Sequence, residues 1–176
     1  MSEADTKRLF RITSEYNNIA NDPDINDNFG IDYWDGDERN KDHWEVTLVP
    51  PEGTLYADGF YRLEVLFPKD YPDSPPKVKF LTKIYHCNIS SDNGYICLNS
   101  LDKEKTWNKN LTMQDIFNHI IILLLNPNPE DAFGSIGTQY KTKINDYEQK
   151  VKDWVKQYAN ANDYDNESKQ GISRLL

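Results

Sequence analysis

The sequence predicts an α+β domain: an N-terminal helix, a four-stranded antiparallel meander, and helices segregated from the sheet. Three observations predict it. Helical and strand periodicities fall in separate blocks along the chain. The strand blocks are joined by short turns marked by Gly and Asp, which suits antiparallel neighbours. The 176 residues are 38% hydrophobic and 12% aromatic, enough for one core and too apolar for a disordered chain.

The elements follow in order. Leu9, Ile12, Tyr16 and Ile19 recur at helical spacing; Asp5 is placed to cap this helix, and Pro23 lies beyond its end. Residues 21–28 are turn-rich. Strands are expected at 29–34, 44–49, 60–67 and 78–81, the second and third with clear alternation. Pro68 stops the third. Residues 82–110 lack periodicity, and an irregular segment of that length inside a compact domain is usually functional. Thr112, with Asp115 three residues on, reads as a capping box that opens a helix. Residues 116–125 are apolar nearly all round, which predicts a central buried helix. A closing helix carries Ile144, Tyr147, Val151, Trp154, Val155 and Tyr158 on one stripe. Residues 1–160 then form the core domain and 161–176 a tail.

Charge narrows the function classes. Twenty Lys and Arg face 29 Asp and Glu, a net charge of -9. That balance disfavours a nucleic-acid binder and an anionic membrane surface. Residues 22–58 hold eleven acids against Arg39 and Lys41, so the whole excess sits there. It reads either as solvated turns or as an acidic face for a basic partner. The start of the chain is polar, and the longest apolar run, 120–125, is far short of a membrane span. Two cysteines, Cys87 and Cys97, make no disulfide framework, so free thiols in the cytosol or nucleus are expected. Three histidines (His43, His86, His119) are not at metal-ligand spacing, and no phosphate-binding glycine loop or HExxH is present.

The chemistry that remains lies between Tyr85 and Asn99. A Cys97 thiolate could act as nucleophile, and the Asn88 amide could reach an oxyanion if the loop folds back at Asp92-Asn93-Gly94. The same pattern also fits a small buried cysteine beside Ile96 and Leu98.

This stretch resembles the active-site region of ubiquitin-conjugating enzymes. His86-Cys87-Asn88 stands where that family has His-Pro-Asn, ahead of Gly94-Tyr95-Ile96-Cys97-Leu98-Asn99. Residues 67–77 (FPKDYPDSPPK) match its FPxxYPxxPPK segment, and Trp107 with Leu111-Thr112 matches W-x3-LT. Asn126-Pro127-Asn128-Pro129-Glu130-Asp131 matches NPNPxDP except that Ala132 replaces the last Pro. The resemblance spans about residues 5–159. It implies three helices after the meander. It also implies a reaction: an activating enzyme loads a ubiquitin-like modifier onto Cys97 as a thioester, and a substrate lysine then attacks it, with a ligase holding the complex.

The resemblance assigns roles as well. Asn88 would stabilise the oxyanion or fix the loop, and Asp131 would orient and help desolvate the lysine. His86, Tyr85, Asn99 and Trp107 would support the site. Lys7, Arg8 and Arg11 match the basic contact with the activating enzyme. Pro72, Asp73, Lys109 and Asn110 occupy the ligase-facing loops. No cofactor or metal is implied, and the protein is expected to be a monomer. Ubiquitin is the expected modifier, with NEDD8 and SUMO as alternatives. Two other readings are a catalytically silent modifier-binding variant and a thiol redox protein using Cys87 and Cys97.

Several positions depart from the family pattern. Cys87 replaces the central Pro, and Asn99 stands where many members have Asp. The spacings from Asn88 to Cys97 and from Cys97 to Trp107 are one and two residues longer than usual. Asp73 replaces an aromatic residue, and Lys109 and Asn110 replace Pro and Ala, which disfavours the commonest RING and HECT partners.

Overall fold

Helix α1 (Glu3–Ala20) opens the chain on a capping box. Ser2, not Asp5, is the N-cap: its hydroxyl accepts from the Asp5 amide at 3.1 Å, while the Asp5 carboxylate accepts from the Ser2 amide at 3.1 Å. Asp5 thus does its capping work from the third helical position. The computed structural model describes residues 2–102 and 106–161. The predicted tail lies outside the described residues apart from Ala161.

A single turn, α2 (Pro23–Asn26), leads to the sheet. Its strands are β1 (Phe29–Tyr33), β2 (His43–Leu48), β3 (Tyr61–Leu66) and β4 (Lys77–Phe80). They pair antiparallel in the order β1-β2-β3-β4, the predicted meander with shorter or slightly shifted ends. Register places Ile31, Val46, Leu63 and Phe80 in one row and Tyr33, Trp44, Val65 and Val78 in the next. These two rows face inward, since alternate residues of a strand share a face. Against them lie Ile12 and Ile19 of α1 and Ile116, Phe117 and Ile120 of α3 (Met113–Leu125), all buried. Phe29 stacks on Phe117 with centroids 4.5 Å apart, and Tyr16 stacks on Tyr33 at 4.3 Å.

Helix α3 starts where the capping signal put it. The Thr112 hydroxyl accepts from the Asp115 amide at 3.2 Å, and the Asp115 carboxylate accepts from the Thr112 amide at 2.8 Å. The helix is not enclosed on all sides, however. Ile122 is 54% exposed and Leu125 45%. Its apolar outer face is left open beside an irregular segment. Helices α4 (Ile136–Thr142) and α5 (Ile144–Tyr158) complete the trio after the sheet. Tyr147, Val151 and Val155 of the predicted α5 stripe are buried, whereas Ile144 and Tyr158 at its two ends are exposed.

The outer face of the sheet is not a uniform acidic surface. Glu45 pairs with Arg62 at 2.6 Å, and Glu64 with His43 at 2.8 Å and Lys79 at 2.7 Å. Asp42 pairs with Arg8, and Asp37 with Arg39. Of the eleven acids in 22–58, Asp37, Asp42 and Glu45 are thereby matched by bases. No helix among the described residues is long and apolar enough to cross a membrane.

Candidate active site

The segment after β4 folds back on itself as a narrow irregular hairpin. Ile89 pairs with Ile96, and both are buried pegs that fix the crossing. The turn falls at Asp92-Asn93-Gly94, with the Gly94 amide donating to the Ser90 carbonyl at 2.8 Å. Gly94 holds φ at 73°, and a Cβ there would stand 1.8 Å from the Phe80 carbonyl oxygen. Only glycine fits that approach. The outcome is a direct link between the two predicted site residues: the Cys97 amide donates to the Asn88 carbonyl at 2.8 Å.

The Asn88 side chain is wholly buried and fully engaged. Its Nδ2 donates to the carbonyl oxygens of Asn128 (2.7 Å) and Asp131 (3.2 Å), and its Oδ1 accepts from the Asn128 amide at 2.8 Å. Of the two roles considered for Asn88, this geometry supplies loop fixation. Asn128, not singled out from sequence, is the hub of the second wall. Its own side chain accepts from the Glu130 amide and donates to the Asp131 carboxylate at 2.8 Å. The available signal was its place before Pro129, where Asn side chains close local turns.

His86 is buried completely. Its Nδ1 accepts from the Asn88 amide at 2.9 Å, which assigns the proton to Nε2, the atom 3.1 Å from the Leu123 carbonyl. Burial lowers its pKa to about 4, so the ring is neutral at pH 7. With both nitrogens occupied it is a strut. Cys87 is also fully buried, its thiol 3.9 Å from the Tyr147 hydroxyl. Burial pushes that thiol's pKa up, so a reactive thiolate is disfavoured there. Tyr85 is buried too, and its hydroxyl donates to Gln139.

Cys97, by contrast, is half-buried and lines an open cleft of about 600 Å³ between the irregular segment and α3. Asn99, His119, Ile122, Asn128 and Asp131 line the same cleft. His119 is an unforeseen member, since nothing in its spacing marks it. Among the described residues no group of His, Cys, Asp and Glu could hold a metal ion. Residues 103–105, within the longer Cys97–Trp107 spacing, lie outside the described residues.

The two predicted ligase-facing loops do meet. The Trp107 indole donates to the Pro72 carbonyl at 2.9 Å, and Lys109 lies 3.8 Å from Asp73. Asp73 and Lys109 are largely exposed, so this ion pair adds little stability. The Asn110 amide is bonded to the Asn108 side chain at 2.9 Å. On α1 the three basic residues part company. Lys7 is exposed and paired with Glu3. Arg11 is partly buried against Glu15 and the Leu111 carbonyl. Arg8 is only 7% exposed and bonds inward to Asp42 and to the carbonyls of Phe67 and Pro68. The expectation that Arg8 offers a surface contact is therefore corrected: its charge is satisfied inside the molecule. Glu15 was also unforeseen, although an acid between Ile12 and Ile19 on a buried stripe was the signal for it.

Comparison with known proteins bears on this site. The family model described as ubiquitin-conjugating enzyme matches residues 11–155. The chain belongs to the ubiquitin-conjugating enzyme family. A mimivirus protein (Acanthamoeba polyphaga mimivirus) named as a probable ubiquitin-conjugating enzyme E2 is 40% identical over 156 residues, covering 88% of this chain and 96% of that one. A ubiquitin conjugating enzyme structure from Plasmodium yoelii superposes with a TM-score of 0.77 at 33% identity, over 88% of this chain and 97% of that one. The E2 domain of a Toxoplasma gondii ubiquitin conjugating enzyme gives 0.74 at 31% identity, over 86% and 99%. This ubiquitin-conjugating enzyme is a transferase, and its family works in general with ubiquitin, an activating enzyme and a ligase. The family match begins at residue 11, so Lys7 and Arg8 precede it.

Proposed function

We propose that this ubiquitin-conjugating enzyme carries ubiquitin as a thioester on Cys97 and delivers it to substrate lysines in the cytosol or nucleus. One observation carries the assignment: of the two thiols, Cys97 alone opens on the cleft that Asp131 and Asn128 line, while Cys87 is buried. In the first step the Cys97 thiolate attacks the carbonyl carbon of the modifier's thioester on the activating enzyme, whose own thiolate leaves. In the second a neutral lysine amine attacks the Cys97 thioester. A C–N bond forms, the C–S bond breaks, the amine proton passes to solvent and the Cys97 thiolate leaves. A thioester is reactive enough to need little general-base help, which agrees with a buried, fully bonded His86.

Asp131 stands at the cleft edge, held by Asn128. Its role is to orient the incoming ammonium side chain. A carboxylate favours the charged amine, so the proton must be lost through desolvation as the lysine enters the cleft. Asn88 acts by holding the 128–131 wall against the Cys97 loop.

The test is thioester formation with activating enzyme, ATP and a panel of tagged modifiers on a non-reducing gel. Wild type and Cys87→Ala give an adduct with ubiquitin that thiol reductant removes. Cys97→Ala gives none, and Cys97→Ser gives a reductant-resistant oxyester. An adduct with NEDD8 or SUMO alone would reassign the modifier. No adduct with any modifier would end the carrier reading and favour a silent binding variant.

A further inference from the structure

We infer that α1 is a clamp that sets the pose of both ligase-facing loops, and that Arg8 is a positioning residue for ligase-stimulated transfer. The inference rests on the proposed role of those loops. Three side chains on one face of α1, spaced over two turns, reach the two loops. The Arg8 Nε donates to the Pro68 carbonyl at 2.7 Å, and its Nη2 donates to the Phe67 carbonyl at 2.9 Å and the Asp42 carboxylate at 2.7 Å. Tyr71, three residues on from Pro68, donates its hydroxyl to Glu15 at 2.6 Å. Burial, and then the Glu15 charge, push the Tyr71 phenol's pKa up, so it stays a donor.

The other loop is tied to the same helix. Arg11 donates to the Leu111 carbonyl at 3.0 Å, and the second oxygen of Glu15 accepts from the Met113 amide at 2.6 Å. Trp107 then bonds the loops to each other through Pro72. Each loop is therefore fixed to one rigid helix by buried or partly buried charge-assisted bonds, among the stronger kinds available. Arg8 is the outermost anchor and lies ahead of the family match. A guanidinium is needed there because three acceptors lie in different directions, a geometry a lysine ammonium on a flexible stem does not reproduce.

Hydrogen exchange on the free protein tests the positioning directly. In Arg8→Lys the amides of Tyr71 and Asp73, bonded to the Pro68 and Asp70 carbonyls, should exchange about tenfold faster, the loss expected for a hydrogen bond to a charged group. Amides of β2 and β3 should keep wild-type rates. Asp42→Asn, which leaves both carbonyl bonds of Arg8 in place, should give a smaller rise in the same segment, and it decides the matter if Arg8→Lys does not fold. Exchange unchanged at 68–73, or raised equally throughout, overturns the inference.

Single-turnover discharge of preformed thioester to free lysine, with and without a RING domain that stimulates wild type, adds the functional arm. The ratio of stimulated to unstimulated rate should fall in Arg8→Lys and hold in Val151→Ala, a core variant in α5. An equal loss in both variants assigns Arg8 to general stability. A wild type that never charges would count against the carrier reading alone, and the exchange arm would still decide this one.

Discussion

His86, which the family resemblance places as a support of the site, has both ring nitrogens engaged by backbone. It is fully buried, with one nitrogen accepting from Asn88 and the other facing Leu123. Its folded pKa of about 4 lies below the ordinary value of 6.5. The stability contributed by the neutral ring is complete above pH 6.5 and is lost as pH falls through 4, about 3 kcal/mol in all. The unfolding free-energy gap between wild type and His86→Asn should therefore narrow between pH 7 and pH 4. A gap that does not change with pH would contradict the buried neutral imidazole. Cys87 carries a related lesson. The sequence shows a second thiol two residues from tyrosine and beside histidine, but only packing under Tyr147 decides that it is filler and that Cys97 is the accessible one.

The element that matters most is the hairpin between Asn88 and Cys97. Its fold-back was legible, because Asp-Asn-Gly is turn chemistry. What was not legible is the tightness of the turn against β4. Gly94 donates no side chain, and its carbonyl accepts from the Phe80 amide at 2.9 Å. Gly94→Ala should cost about 2–4 kcal/mol, since it adds left-handed strain to a backbone collision. It should also lower thioester yield by shifting the irregular segment that carries Cys97. Gly53 is the control. It has φ of 92° but nothing within 4 Å of a built Cβ, so Gly53→Ala should cost only about 1 kcal/mol of strain. Equal thermal shifts in the two variants would show that strain alone, without the Phe80 contact, governs the turn. The α3 cap was readable for the opposite reason, although the sequence pattern puts the cap of α1 on Asp5 and not on Ser2. It depends on residues three apart in sequence, and at Thr112 the capping box formed as read.

At the scale of the whole molecule, the net charge of -9 dissolves into individual circumstances. Asp35 is exposed on a turn, whereas Asp42 holds Arg8 and, through it, the 67–68 backbone. The two acids are equivalent in composition and unequal in energy. Asp35→Lys should lower stability by at most about 1 kcal/mol, the cost of replacing an Asp at a left-handed φ of 54°. Asp42→Lys should lower stability by about 2 kcal/mol, because it strands a buried guanidinium next to a like charge. Chemical denaturation of both variants checks this, and equal effects would mean the Arg8 pairing contributes nothing. Charge reversal across residues 22–58 is therefore a fair probe of a basic partner only at exposed, unbuttressed positions such as Asp35.

Sequence alone determined the order of elements, the strand faces, the α3 cap and the turn at Gly94, while Cys97 was reached only through the family resemblance. Those four features rest on interactions within a few residues or on the period of a strand or helix, and such patterns are written along the chain. Tertiary structure decided which thiol meets solvent, that Asn88 grips the 128–131 wall, that α3 leaves Ile122 open to the cleft, and that Arg8 and Glu15 face inward. Those outcomes depend on groups brought together from 34 to 98 residues apart, as Arg8 with Asp42 and Glu15 with Met113 illustrate. A charged residue's burial is set by the partners that reach it, and no local pattern records them.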